Sequence, residues 1–181
     1  DRDGLLYVVP IGAITNIASA ILTRPEIIDR ICVVWLGGQP HSWHSASEFN
    51  LKQDLHATRV ILDTGVPFMH VPCKNVAEHI TTTLPELREH ISGHNALGDY
   101  LFKVYEDFAD DHFARAKVIW DLGPVAWLIN ASWVPTVLTH TPLLTDMVTW
   151  SQNRSRHLMR EAIGCNRNAI FADLFRKIAA F

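Results

Sequence analysis

"RICVVWLGG", residues 30–38, decides the fold. Its apolar run, Ile31–Leu36, is short for a helix, rich in strand formers, and stopped by Gly37 and Gly38. It reads as a strand buried on both faces. "LLYVVPIG" (5–12), closed by Gly12, and "VPFMHVP" (66–72) read the same way. Between these runs lie two helical patterns. "TNIASAILTRPEI" (15–27) repeats Ile17, Ala20 and Ile21 at helical spacing behind Thr15, a natural N-cap. "NLKQDLHATRVILDTG" (50–65) turns Leu51, Leu55, Ala57, Ile61 and Leu62 to one side and stops at Gly65. The order β-α-β-α-β with short connections predicts an α/β fold: an open, mostly parallel sheet with helices on both faces.

Beyond residue 74 the pattern turns helical. "TLPELREHI" (83–91), "ALGDYLFKVYEDFADD" (96–111) and "DLGPVAWLINA" (121–131) read as helices, with Gly93, Gly98 and Gly123 as punctuation. "TVLTHTPLL" (136–144) and "DMVTW" (146–150) read as strands that could pair. "RNAIFADLFRKIAAF" (167–181) is an amphipathic helix with Ile170, Phe171, Leu174, Phe175 and Ile178 on its apolar face. There is no internal repeat, low-complexity segment or linker, so one domain over 1–181 is the simplest division.

Composition narrows the function. The 181 residues are 48% hydrophobic and 19% charged, with a net charge of −3. No basic stripe is present, which argues against a nucleic-acid partner. No apolar run reaches the length of a membrane span, and no secretory signal is seen. Three cysteines without a CxxC pair argue against a disulfide framework or a cysteine zinc site, and make a reducing cytoplasm the expected compartment. No GxGxxG or GxSxG segment is present, which argues against the usual dinucleotide and serine-hydrolase readings.

In an open parallel sheet, ligands bind outside the carboxyl ends of the strands. Polar segments follow all three early strands: "GAITN" (12–16), "GGQPHSWHSASEFN" (37–50) and "PCKN" (72–75). "WDLGP" (120–124) opens a later helix. Each has a structural reading too. Thr15 and Asp121 fit as helix caps, Glu48 and Asn50 as a capping arrangement, Trp120 as core, and His41 and His44 as solvated loop residues rather than metal ligands.

Taken in order, these segments resemble the inosine-uridine-preferring nucleoside hydrolases. "VVPIGAITNIASAI" looks like that family's strand followed by G-P-L-T-N-[IV]-A, and "VVWLGG" like its strand ending in a glycine pair. "SEFNLKQDLHA" is similar to its E-F-N-x-x-x-D-P-x-A segment, "WDLGPVAWLIN" to its [HW]-D-x-x-A-x-A motif, and "RNAIFADLFRKI" to its C-terminal helix. The resemblance implies a calcium-dependent N-ribohydrolase that cleaves nucleosides into ribose and free base. It implies that the backbone carbonyl of Thr15 and the carboxylate of Asp121 ligate calcium, and that Glu48, Asn50 and Asp121 grip ribose hydroxyls. Trp120 stands where one group of the family has a histidine. This resembles the purine-preferring group, in which an indole stacked on the base eases its departure, and Trp43 is a second stacking candidate.

Two departures stand out. Ser42 occupies a position where an asparagine is common. The family's D-x-D-x-G-x-D-D cluster has no counterpart, since "DRDG" (1–4) precedes the wrong strand and "FADDH" (108–112) reads as a solvated helical face. The chain looks like the C-terminal two-thirds of such an enzyme, lacking the first strands. Self-association through the exposed sheet edge is expected. The alternative reading is a catalytically inactive nucleoside- or ribose-binding remnant, or an assembly domain.

Overall fold

The computed structural model describes residues 3–181. Asp1 and Arg2 of "DRDG" lie outside the described residues. The three early runs form strands β1 (Leu6–Val8), β2 (Ile31–Leu36) and β3 (Phe68–Val71), with helices α1 (Thr15–Thr23), α2 (Phe49–Lys52) and α3 (Leu55–Asp63) between them. Strands β4 (Thr81–Thr83) and β5 (Ala116–Val118) form a small antiparallel pair, between which run helices α4 (Leu84–His90) and α5 (Ala96–Glu106). Then come α6 (Leu122–Ile129), β6 (Thr136–His140), the short antiparallel pair β7 (Leu143–Leu144) and β8 (Trp150–Ser151), β9 (Leu158–Ala162) and α7 (Arg167–Ala179).

The main sheet has the order β1-β2-β3-β9-β6. Its first four strands run parallel, and β6 runs antiparallel on the edge. Side chains alternate across a strand, so each buried strand feeds two cores. Val34, Leu36, Met69 and Val71 face one core, closed by α6 and α7 residues such as Ala126, Ile170 and Phe171. Ile31, Val33, Trp35 and Phe68 face the other, closed by α1 and α3 residues such as Ala18, Ile21, Ile61 and Leu62. All six residues of β2 are buried, which is why its sequence shows an apolar run and no alternation.

Several expectations change. The first run is not buried on both faces: Leu6 and Tyr7 of β1 are exposed, because β1 is the edge strand of the sheet, paired with β2 on one side. The helix expected over 50–65 breaks at Gln53–Asp54, where the Asp54 carboxylate accepts from Ala57 N and caps α3. Ile14, not Thr15, takes the cap position of α1; Thr15 is the first helical residue, and its hydroxyl donates to Asp54 Oδ2 at 2.7 Å. "FADDH" is a loop after α5 rather than part of a helix. Of "DMVTW" only Trp150 joins a strand, pairing with Leu144. Strand β9 was not expected, because Arg160 and Glu161 interrupt its apolar pattern; it nevertheless lies inside the sheet between β3 and β6.

Gly98 and Gly123 sit inside α5 and α6 rather than between elements. Gly98 is needed for close approach, since a Cβ there would lie 2.2 Å from the Ile91 carbonyl oxygen. Alanine normally stabilises a helix interior relative to glycine. Here Gly98→Ala is expected to destabilise by about 1–3 kcal/mol through overpacking. Urea unfolding measures this, and a gain in stability would show that α4 and α5 are not packed this closely.

Candidate functional site

Three of the four polar segments, those after β2 and β3 and the one opening α6, converge at the carboxyl ends of the strands; "GAITN" (12–16) contributes no lining residue, and Ile11 just before it does. A cavity of about 420 Å³ is lined by Ile11 after β1, by Leu36, Gln39, Glu48, Phe49 and Asn50 after β2, by Cys73 and Lys74 after β3, and by Trp120 and Asp121. Backbone hydrogen bonds tie these strand ends together. Gly37 N donates to Val71 O at 3.3 Å, Cys73 N donates to Gly38 O at 3.1 Å, and the Trp35 indole donates to Gly12 O at 2.9 Å. Gly38 adopts φ +72°, which lets the chain turn from the end of β2 into the pocket rim.

Glu48 caps α2 and does more. Its carboxylate accepts from Asn50 N at 3.0 Å and Leu51 N at 3.2 Å, and also from Gly38 N at 2.8 Å. One side chain thus joins the end of β2 to the start of α2. Asn50 is buried, and its amide nitrogen donates to Leu36 O at 2.9 Å and Ile11 O at 3.4 Å. Both amide hydrogens therefore hold the ends of β1 and β2, and the side-chain oxygen is the atom left for a ligand.

Asp121 differs from Glu48. It occupies the cap position of α6, yet its side chain makes no capping hydrogen bond. Partial burial pushes its carboxyl above the ordinary range. Burial, reinforced by the nearby Glu48 and Asp121 carboxylates, pushes the Cys73 thiol well up, so Cys73 is a neutral wall rather than a nucleophile. Lys74 places a cation at the rim, paired with Glu78 at 2.8 Å. Trp120 keeps 38% of its surface exposed and lines the cavity instead of joining the core.

The structure therefore brings Glu48, Asn50, Trp120 and Asp121 around one cavity. Thr15 does not line it, and neither do Ser42 or Trp43. Gln39, Phe49, Cys73 and Lys74 also line the cavity from the polar segments after β2 and β3, and Ile11 from the end of the first apolar run; none carries a motif of its own. Such a cavity can hold a small polyol against carboxylates and a planar group against the indole. The donor set does not fit the calcium ion implied by the resemblance. Calcium takes roughly six to eight oxygen ligands, whereas Asp121 is the one lining carboxylate not occupied by backbone N–H groups.

His41 overturns its reading as a solvated loop residue. It is 7% exposed and stacks on the buried His70, beside Glu161 of β9. Burial holds both imidazoles well below their ordinary pKa, His70 at about 4, and raises the Glu161 carboxyl. The signal for this cluster was absent from local sequence, because its members come from three distant segments.

A mostly parallel sheet covered on both faces, with a carboxylate- and indole-lined cavity at its strand ends, defines an α/β protein with its cavity where open sheets of this kind place their ligand sites. The family model for inosine-uridine preferring nucleoside hydrolase matches residues 2–170, and the chain belongs to that family. It is 34% identical over 140 residues to an uncharacterized Schizosaccharomyces pombe protein, covering 72% of this chain and 44% of that one. It is 33% identical over 72 residues to a putative pyrimidine-specific ribonucleoside hydrolase of Shigella boydii, covering 38% of this chain and 30% of that one. The purine-preferring ribonucleoside hydrolase of Gardnerella vaginalis shares the fold with a TM-score of 0.75 at 21% identity, covering 97% of this chain and 60% of that one. The chain thus spans less than two thirds of the length of each of these relatives. Among the described residues no helix is long and apolar enough to cross a membrane.

The contrast between the two carboxylates is measurable. Glu48→Ala removes the acceptor for three backbone N–H groups and is expected to destabilise by about 1–3 kcal/mol. Asp121→Asn removes no capping bond and is expected to stay within about 0.5 kcal/mol of the parent. Urea unfolding of both variants tests this, and equal losses would overturn the division of roles.

Proposed function

We propose that this protein is a nucleoside N-ribohydrolase whose ribose- and base-binding groups lie in the cavity at the strand ends. The observation that carries the reading is the convergence of Glu48, Asn50, Trp120 and Asp121 on that cavity. Asp121, with no capping bond, is the carboxylate available to sugar hydroxyls. The remaining lone pairs of Glu48 and the side-chain oxygen of Asn50 are the further acceptors. Preorganised acceptors of this kind stabilise the oxocarbenium-like charge that develops on the sugar as the glycosidic bond breaks. The half-exposed Trp120 stacks on the base.

Purine preference follows from that stack, because a two-ring base covers more of an indole than a one-ring base. Among the described residues no histidine lines the cavity to protonate the leaving base. The stack then eases departure by raising the basicity of the base, with the proton taken from solvent. Calcium dependence, which the resemblance implies, would take ligands beyond the described lining residues.

A second reading is favoured by the carboxylate count. With one uncommitted carboxylate among the described lining residues, this reading is a module that binds a nucleoside through Asp121, Asn50 and Trp120.

The test is release of reducing sugar from inosine and from uridine. Trp120→Ala is expected to lower kcat/KM for inosine about tenfold or more beyond its effect on uridine, since stacking on an aromatic side chain is worth about 1–3 kcal/mol. Equal loss on both substrates would remove stacking as the source of preference. Inosine binding without turnover would select the binding-module reading.

A further inference from the structure

The Glu48 cradle adjoins a second, fully buried polar cluster that the nucleoside reading does not use. Gly38 N donates to Glu48, and the preceding carbonyl, Gly37 O, faces His70 Nε2 at 2.5 Å. His70 of β3 and Glu161 of β9 are register partners on neighbouring parallel strands, so their side chains leave the sheet side by side. His41 comes from the loop after β2. Its backbone N–H donates to Glu161 Oε1 at 2.7 Å, and its Nδ1 lies 3.4 Å from Glu161 Oε2. The two imidazoles stack with centroids 4.7 Å apart, and Trp150 closes edge-on over His41 at 4.9 Å. His41, His70 and Glu161 are 7%, 1% and 8% exposed.

Three ring nitrogens in this cluster have no hydrogen-bond partner: both of His41 and Nδ1 of His70. Buried polar atoms are ordinarily paired, so three together call for an explanation. The groups around them are arranged as those around metal ligands are. His70 Nε2 donates to a backbone carbonyl, which fixes the tautomer and leaves the Nδ1 lone pair facing the cluster. One oxygen of Glu161 is held by a backbone N–H, which leaves the other free. One donor atom from each of the three residues lies within 4.8 Å of the others.

We propose that His41, His70 and Glu161 form a binding site for a zinc-class divalent ion, separate from the nucleoside cavity. Two imidazoles and one carboxylate suit zinc and its borderline neighbours, whereas calcium takes oxygen ligands alone. Zinc bonds of about 2.0–2.2 Å require the donors to draw closer together than they now lie. The His41 ring supplies that movement. Neither of its nitrogens makes a hydrogen bond, and Nδ1 already lies 3.4 Å from Glu161 Oε2, so a small ring shift brings it into a coordinating position without breaking a hydrogen bond. The ion fixes the Gly37–Gly38 turn through His70, and a water completes its coordination.

The test is cobalt(II) titration of chelator-treated protein, read by visible absorption, with zinc counted by elemental analysis after dialysis. One equivalent of cobalt with tetrahedral-intensity bands, displaced by zinc, is expected. The bands are expected to vanish in His41→Gln and Glu161→Gln and to persist in Asp121→Asn. No stoichiometric uptake by the parent protein would overturn the proposal. So would undiminished uptake by His41→Gln and Glu161→Gln, or loss in Asp121→Asn alone. If the cluster variants fail to fold, the thermal midpoint of the parent protein decides. It is expected to rise with the logarithm of zinc concentration, and a flat response would overturn the site.

Discussion

The Glu48 carboxylate holds the site together. It accepts from Gly38, Asn50 and Leu51 and so binds the end of β2 to the start of α2. Asn50, placed by that cap, reaches back to the carbonyls of Leu36 and Ile11. Three chain segments that would otherwise splay at the sheet end become one rigid rim. Hydrogen bonds to a charged acceptor are stronger than neutral ones, so a single carboxylate can fix this much backbone. The strongly tied members of the site are therefore those that shape it, while Asp121 and Trp120, which make no such ties, face the ligand space.

Much of this was legible in the sequence. The apolar runs of β2 and β3 announced a doubly buried parallel sheet, and three of the four polar segments placed at its strand ends line one cavity, while "GAITN" does not. What was not legible depended on distant partners. Strand β9 carries Arg160 and Glu161 in its middle, and is a strand because β3 and β6 flank it. His41 looked like a loop residue because nothing near it in sequence hides it; His70, Glu161 and Trp150 do so in three dimensions. Glycines at 98 and 123 read as punctuation because close packing inside a helix leaves the same mark on the sequence as a turn.

The pair that suggested a sugar grip, Glu48 and Asn50, has a more divided role than its spacing implied. Residues two apart across a helix start can serve the helix cap and the ligand at once, and sequence alone cannot apportion the two. Here the backbone takes three hydrogen bonds on Glu48 and both amide hydrogens of Asn50. The family relationship rests on residues 2–170. The distribution of free and occupied oxygens is a property of this chain's own geometry.

Calorimetric titration of the protein with inosine, with and without calcium, tests the central claim most directly. Saturable binding that Asp121→Asn and Trp120→Ala each weaken, while the fold is retained, is the result predicted by the cavity described above. Absence of binding under both conditions, or binding that neither substitution alters, would contradict it.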